Sequence, residues 1–382
     1  MEISSLFMLD PSVVFLNHGS FGAVPAVVFE NYQYWQRRLE LQPVLFLGRE
    51  FDELLQRSRA ALAEYINSSV NDVVYIPNAT FGVNMIARAI KFNPGDEILS
   101  TDHEYGACDL AWQHVIKNTG AIYKKVKLLF PILSEEELIN SIFDGVTEKT
   151  KVIYISHITS PTAIILPIEK ICKRARELGI LSIIDGAHGP GQVDLDMLKI
   201  NADVYIGNCH KWLMAPKGAG FIYCNQAAQE IIEPLVVSWG SADTDKGGSK
   251  FINRLQWTGT NDPAAYLTVA SAIQFIKDNQ WNNVRADCRK LLSTAISEIA
   301  SITGLQSYYD HLSKYYCQMA SVRIPDNIDL VQIKNKLYED FRIEVPFIQL
   351  GDKKFIRISV QGYNTEKDID ILLAALKGII KN

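Results

Sequence analysis

No charge of one sign dominates this chain. Its 38 Lys and Arg face 43 Asp and Glu, for a net charge of −5. That balance leaves no basic footprint for a nucleic acid and no acidic tail, so no nucleic-acid partner is expected. No apolar run approaches the roughly 20 residues that a membrane-crossing helix needs, and no membrane partner is expected either. The first residues, Met1 to Asp10, have no cationic start and no long apolar stretch, so they are not expected to act as a secretion signal. The six cysteines, Cys108, Cys172, Cys209, Cys224, Cys288 and Cys317, show no CxxC spacing and no framework pattern. Free thiols in a reducing, cytoplasmic setting are therefore expected. Internal repeats and low-complexity segments are also missing.

What remains is the profile of a globular enzyme-sized chain. Its 382 residues are too many for one ordinary core, and 48% of them are apolar. Through the middle, short β-rich runs alternate with helical stretches. Strands are expected near Asp96–Ser100, Ile122–Lys127, Lys151–Ser156, Ile180–Ile184, Asp203–Gly207 and Ala219–Tyr223. The clearest helix is Ile168–Leu178, with Ile168, Ile171, Cys172, Ala175 and Leu178 on one face and Gly179 as its stop. Such alternation argues for an α/β fold with a mainly parallel sheet covered by helices. Gly240 to Ser249 is the most loop-like stretch, and a helix over 264–277 follows it. The remainder reads as a smaller α/β unit. It holds strands near Cys317–Ile324 and Lys354–Val360, with helices near Leu330–Tyr338 and Ile371–Ile380. We expect an N-terminal segment over 1–20, a large domain over 21–255 and a small domain over 256–382.

The ends of two expected strands carry the most telling residues. Asp185 opens Asp185-Gly-Ala-His188 after one apolar run, and Lys211 lies in Asn208-Cys-His-Lys-Trp212 after another. An Asp after a strand is, alone, usually a turn residue or a cap. Most lysines are solvated, but Lys211 sits among His210, Trp212, Leu213 and Met214 rather than in a charged stretch. The rival, Lys217, lies in a Gly/Pro turn and is expected to be exposed. Ligands of such sheets lie outside the carboxyl ends of the strands. There a carboxylate can pair with a ring nitrogen that must stay protonated, while a lysine amine makes a Schiff base with an aldehyde. Those are the demands of pyridoxal phosphate.

Three further features fit that reading. Asn78-Ala-Thr80 opens a helix expected over Phe81–Ile90, and a helix N-terminus beside a Thr hydroxyl is an anion seat as well as an ordinary cap. Thr101-Asp-His-Glu-Tyr105 offers His103 or Tyr105 as a ring to stack on a planar cofactor. Arg357 alternates with apolar residues on a late strand, and its fork suits a substrate carboxylate.

Taken together, the chain resembles a fold-type I pyridoxal phosphate enzyme of the class V aminotransferase group, in the isopenicillin N epimerase-like subgroup. That subgroup also includes sulfoxide C–S lyases. The resemblance rests on Leu16-Asn-His-Gly-Ser-Phe-Gly22, Asp102-His-Glu-Tyr-Gly-Ala107, His157-Ile-Thr-Ser-Pro-Thr162, Asp185-Gly-Ala-His188, His210-Lys-Trp212, Trp257-Thr-Gly-Thr260 and Arg357-Ile-Ser359, and it covers nearly the whole length. It implies a three-layer PLP-transferase fold. It also implies that Lys211 bonds the cofactor and shuttles the substrate α-proton, that Asp185 pairs with the pyridinium nitrogen, and that His188 lies beside the ring. Ala79 and Thr80 would hold the phosphate, joined by Asn208 and His210. Tyr105 is the preferred stacking residue, and Thr159 or Ser160 would face the cofactor. Thr260 would reach the phosphate of a neighbouring subunit in a homodimer with shared active sites. Arg357 would bind the substrate carboxylate, with Asn17, His18 and Gly19 bordering the substrate. The implied substrate is an amino acid or a molecule containing one, and the reaction is epimerisation, C–S lysis or transamination. The stretch Arg342 to Asp352 has no cysteine, so the persulfide route of cysteine desulfurases is not expected.

Overall fold

In the computed structural model the described residues are 3–128, 130, 132, 134–242, 249–309 and 314–380. Their strands are β1 (Val14–Phe15), β2 (Val73–Ile76), β3 (Glu97–Thr101), β4 (Ile122–Val126), β5 (Thr150–Ser156), β6 (Leu181–Gly186), β7 (Val204–Asn208), β8 (Gly220–Cys224), β9 (Met319–Ile324), β10 (Ile343–Glu344), β11 (Phe347–Leu350) and β12 (Lys353–Ser359). A seven-stranded sheet runs in the order β2-β8-β7-β6-β5-β3-β4. From β7 to β4 the pairs are parallel, and β8 is antiparallel to both of its neighbours. Val152 to Ile155, Ile183, Ile184 and Val204 to Ile206 are all fully buried. Near-continuous apolar runs of this kind suit strands covered on both faces. The helix Ile168–Glu177 covers the sheet with Ile168, Ile171, Cys172 and Ala175. Leu178, expected on that buried face, is instead 53% exposed, because the helix ends before it and Gly179 turns the chain at φ 69°.

Parallel pairing brings several strand ends to one edge. Ser156 pairs with Asp185, and Asn208 pairs with Gly220. The edge strand β2, not anticipated from the sequence, ends there too. Its Ile76 pairs with Gly220 and leads through Pro77 and Asn78 into the helix Ala79–Ala89. The Asn78 side chain accepts a hydrogen bond from the Phe81 N–H and so starts that helix two residues before its expected beginning.

A second, antiparallel sheet has the order β11-β12-β9, and β1 pairs with β10. The bridge between Asn17 and Ser359 then carries the N-terminal segment from this region toward the edge of the large sheet. Gly22 is required on that path. Its φ is 73°, and an added Cβ would lie 2.2 Å from the His210 carbonyl oxygen. The helix expected over 264–277 is interrupted, running as Ala264–Leu267 and Val269–Asp278. At the break the buried Thr268 hydroxyl donates back to the Ala264 carbonyl at 2.7 Å, a local bond that competes with regular helix. No helix among the described residues is long and apolar enough to cross a membrane.

Candidate active site

A cavity of about 300 Å³ opens where these strand ends meet. Its wall includes Ala79, Thr80, Tyr105, Ser160, Asp185, His188, Asn208, His210 and Lys211. Residues separated by more than 130 positions are brought together because β5, β6 and β7 are in parallel register and β2 delivers a helix start beside them.

Asp185 is buried, with hydrogen-bond donors behind it. Its Oδ1 accepts from the Ala187 N–H at 2.9 Å, and its Oδ2 accepts from the Tyr154 hydroxyl at 3.0 Å and the Cys108 thiol at 3.6 Å. Burial pushes both the Tyr154 hydroxyl and the Cys108 thiol well up, so they remain protonated donors. Lys211 is the facing amine. Burial lowers it to about 8, with Asp185 opposing the shift and Arg357 adding to it, so roughly a tenth of the amine is neutral at pH 7. His188 lies between strand ends with Nε2 3.3 Å from the Lys211 Nζ, while its Nδ1 accepts from the Trp212 indole N–H at 3.2 Å. Burial, then the neighbouring Lys211, holds the His188 ring far below its ordinary value and therefore neutral.

The anion seat lies at the helix start. The Asn208 Oδ1 accepts from the Ala79 N–H at 2.8 Å and ties β7 to the first turn of the helix. Ala79 and Thr80 face the cavity there, with His210 and Lys217 on the same wall. The His210 Nδ1–H donates to the Ala219 carbonyl at 3.0 Å, which fixes the ring. Lys217, expected to be an exposed bystander, is exposed but anchored, its Nζ donating to the Gly22 carbonyl at 3.0 Å.

Arg357 sits on β12, 6% exposed. Its Nη1 donates to the Ser160 carbonyl at 2.7 Å and to the Ser160 hydroxyl at 3.3 Å, and its Nη2 donates to the Ser20 hydroxyl at 3.1 Å. Ser20 and Ser160 both belong to the cavity wall. Arg357 itself is not on that wall, and its buried Nε has no hydrogen-bond partner. Burial lowers the guanidinium to about 10, which still leaves it charged at neutral pH.

Several sequence candidates stand apart from this wall. His103 is buried elsewhere, with Nδ1 2.7 Å from the Thr162 hydroxyl and its ring stacked on Phe130, whereas Tyr105 is 48% exposed on the cavity. Thr159 turns inward, where its hydroxyl meets Thr162 and accepts from the Ile164 N–H. Asn17, His18 and Gly19 lie behind the wall rather than on it. The Asn17 Nδ2 donates to Glu344, and the Gly19 N–H donates to Ser359. His18 is fully buried, with Nε2 3.1 Å from the Lys211 carbonyl and Nδ1 2.9 Å from the Tyr363 hydroxyl, so it holds the Lys211 backbone in place. Thr260 is exposed and outside this cavity. Ser20, Phe21, Cys108 and Ser156, also on the wall, were not singled out from the sequence. Neither was Glu104, a buried carboxyl receiving hydrogen bonds from the Thr101 and Ser156 hydroxyls, each at 2.6 Å. Burial pushes it up to about 8.

The family model for class-V aminotransferases matches residues 23–372. The chain belongs to the class-V aminotransferase family. Enzymes of this family use pyridoxal phosphate, and this member is a fold-type I enzyme. It is 31% identical to the isopenicillin N epimerase of Amycolatopsis lactamdurans, over 98% of this chain and 96% of that one. It is 28% identical to a probable chloroplastic L-cysteine desulfhydrase of Arabidopsis thaliana, over 100% of this chain and 86% of the relative. Among solved structures, the cysteine desulfurase of Thermococcus onnurineus NA1 superimposes with a TM-score of 0.84 at 19% identity, covering 99% and 97% of the two chains, a likeness of fold.

The cavity of this class-V aminotransferase fits the cofactor. A carboxylate with three donors behind it faces inward, an amine with a lowered proton affinity stands near it, and a helix N-terminus backed by Asn208 offers a phosphate seat. Asp185 would hold the ring nitrogen, Lys211 the aldehyde carbon, and Ala79, Thr80 and His210 the phosphate. Tyr105 would cover the ring.

Proposed function

We propose that this enzyme removes and returns the α-proton of a substrate bearing a free α-amino acid end, and that the outcome is epimerisation. One observation carries the reading. The Lys211 amine lines the cavity, and the Arg357 guanidinium, set just behind the wall, holds the wall residues Ser160 and Ser20 and keeps a buried Nε without a partner. Bound in this cavity, pyridoxal phosphate supplies the electron sink for the pair left on the α-carbon. The protein supplies the rest. The Arg357 fork grips the carboxylate through parallel charge-assisted hydrogen bonds and so orients the Cα–H bond. The Lys211 Nζ, lowered to about 8, takes that proton from one face of the α-carbon, and epimerisation results when a proton returns to the other face. Asp185 stays hydrogen-bonded to Tyr154, Cys108 and the Ala187 N–H and would hold the ring nitrogen with its remaining acceptor capacity.

The epimerase relatives at 31% and 32% identity, each matched over nearly the whole chain, favour epimerisation over lysis. Incubation of a panel of amino acids and aminoacyl peptides in deuterated water tests this. The expected product carries one deuterium at Cα and inverted configuration by chiral chromatography. Release of sulfide or thiol from cysteine-type substrates would instead assign C–S lysis, and formation of a 2-oxo acid would assign transamination.

The same reading includes a homodimer. Leu41, Val44, Val237 and Trp239 are each at least 73% exposed, and Phe21, 72% exposed, lies on the cavity wall itself. Large apolar side chains at such exposure are suited to cover by a second subunit. Thr260, exposed on the loop before the helix Ala264–Leu267, is the residue assigned to the neighbour's phosphate. The six unpaired thiols fit a cytoplasmic setting.

A further inference from the structure

We propose that Trp212 sets the tautomer of His188 and through it favours the free-base form of the Lys211 amine. The indole N–H is a donor and never an acceptor. It lies 3.2 Å from the His188 Nδ1, so that nitrogen must present its lone pair. The proton of the neutral ring then sits on Nε2, 3.3 Å from the Lys211 Nζ. An N–H aimed at an amine needs a lone pair on it. An ammonium at Lys211 would set donor against donor, so a proton gained there is held weakly and is readily returned.

The surroundings reinforce this state. The charged and titratable groups facing His188 are Lys211, Arg357, His210 and His18, all of which disfavour an imidazolium that would supply a second donor. Those facing Lys211 are Asp185, Arg357 and Cys108, of which the Asp185 carboxylate favours the ammonium. The His188 tautomer therefore opposes Asp185. Trp212 is fully buried, with its ring 4.8 Å from that of His18, and His18 also holds the Lys211 carbonyl. The indole is thus held rigidly against the loop that carries the lysine. Trp212 is a positioning residue here, acting on Lys211 only through His188.

This inference rests on Lys211 being the reactive amine, but its test does not require the reaction. In cofactor-free protein labelled with ¹⁵N-histidine, the ring nitrogens of His188, one of seven histidines, are identified by their loss in His188→Gln. The expected spectrum has the proton on Nε2, and a proton on Nδ1 in the wild type overturns the proposal. The pH dependence of Lys211 reductive methylation, followed by peptide mass, gives the second measurement. In Trp212→Phe the ring can turn a lone pair toward Lys211, so the half-point should rise by about one pH unit, equivalent to about tenfold slower labelling below it. His188→Gln should keep the wild-type half-point, because an amide can accept from the indole and donate to the amine. In a His188→Leu background Trp212→Phe should produce no further shift. A shift that persists in that background would mean that Trp212 acts by packing alone, and would overturn the proposal. Should Trp212→Phe not fold, the wild-type spectrum decides.

Discussion

Replacing Arg357 with lysine tests the substrate end of the site most directly. The guanidinium is buried, charged at neutral pH, and already holds Ser160 and Ser20 through three hydrogen bonds. Five N–H groups are available on an arginine, so at least two remain for a ligand. A carboxylate arriving at the unpaired Nε would form a desolvated, forked ion pair. Truncating one partner of such a pair costs roughly 2–5 kcal/mol. At about 1.4 kcal/mol per factor of ten, that is a fall of roughly thirty-fold to a few thousand-fold in kcat/KM. Arg357→Lys keeps the charge but cannot reproduce the fork, so it should recover only part of the loss.

The decisive assay compares two substrates on each enzyme, the free amino acid and its α-carboxamide. Wild type should prefer the carboxylate strongly, and Arg357→Lys and Arg357→Ala should lose most of that preference. Loss of the Ser160 and Ser20 contacts is a structural side effect, and it should weaken both substrates alike. If the variant loses equal activity on carboxylate and carboxamide, the carboxylate anchor is elsewhere and Arg357 serves only to hold the wall.

Three more outcomes are expected. Borohydride treatment of the holoenzyme should leave the cofactor mass on the Lys211 peptide, and Lys211→Ala should still bind cofactor while activity falls by on the order of 10⁴-fold; an adduct on Lys217 would refute the assignment. Glu104, raised from 4.5 to about 8 chiefly by burial, holds a proton in the folded state that the unfolded chain releases, so its contribution is complete below pH 4.5 and is lost as pH rises to about 8. Glu104→Gln should therefore gain thermal stability relative to wild type as pH is raised from 5 to 8, and parallel melting curves across that range would count against a protonated Glu104. Sedimentation should show a dimer, and mixed dimers of Lys211→Ala and Thr260→Ala chains should recover part of the activity that each loses alone; an active monomer rules out shared sites.

The parts of the fold legible in the sequence were those whose burial is repetitive. β5, β6 and β7 show as uninterrupted apolar runs because both their faces are covered, and their expected bounds lie within two residues of the observed ones. The edge strand β2 is a run of only four residues, Val73-Val-Tyr-Ile76, and was not read from the sequence. The closing helix shows why helix beginnings escape hydrophobic periodicity. It was expected from Ile371, where apolar residues become dense, but it begins at Glu366. Its first turn is polar, and Asp368 accepts from the Thr365 N–H at 2.9 Å to support it.

The site divides in the same way. Asp185, Lys211 and Asn208 could be read because each follows an apolar strand directly, and an end-of-strand position is meaningful in a parallel sheet. Ser20, Cys108, Ser156 and Glu104 could not, because nothing local distinguishes them. Their placement follows from distances between elements: the register that sets Ser156 beside Asp185, and the helix Gly106–Thr119 that brings the Cys108 thiol to Asp185. The motif around His103 is instructive in the other direction. His103 and Tyr105 are two residues apart and chemically comparable as stacking rings, but the chain turns between β3 and the next helix, so one is buried against Phe130 and the other meets the cavity. His18 was read as a substrate neighbour from its place in Asn17-His-Gly19, yet its two ring nitrogens are committed to Tyr363 and to the Lys211 carbonyl. A buried histidine whose nitrogens are both engaged in this way is a brace. Its effect on catalysis passes through the backbone of Lys211, and no motif could have shown that before the tertiary contacts were known.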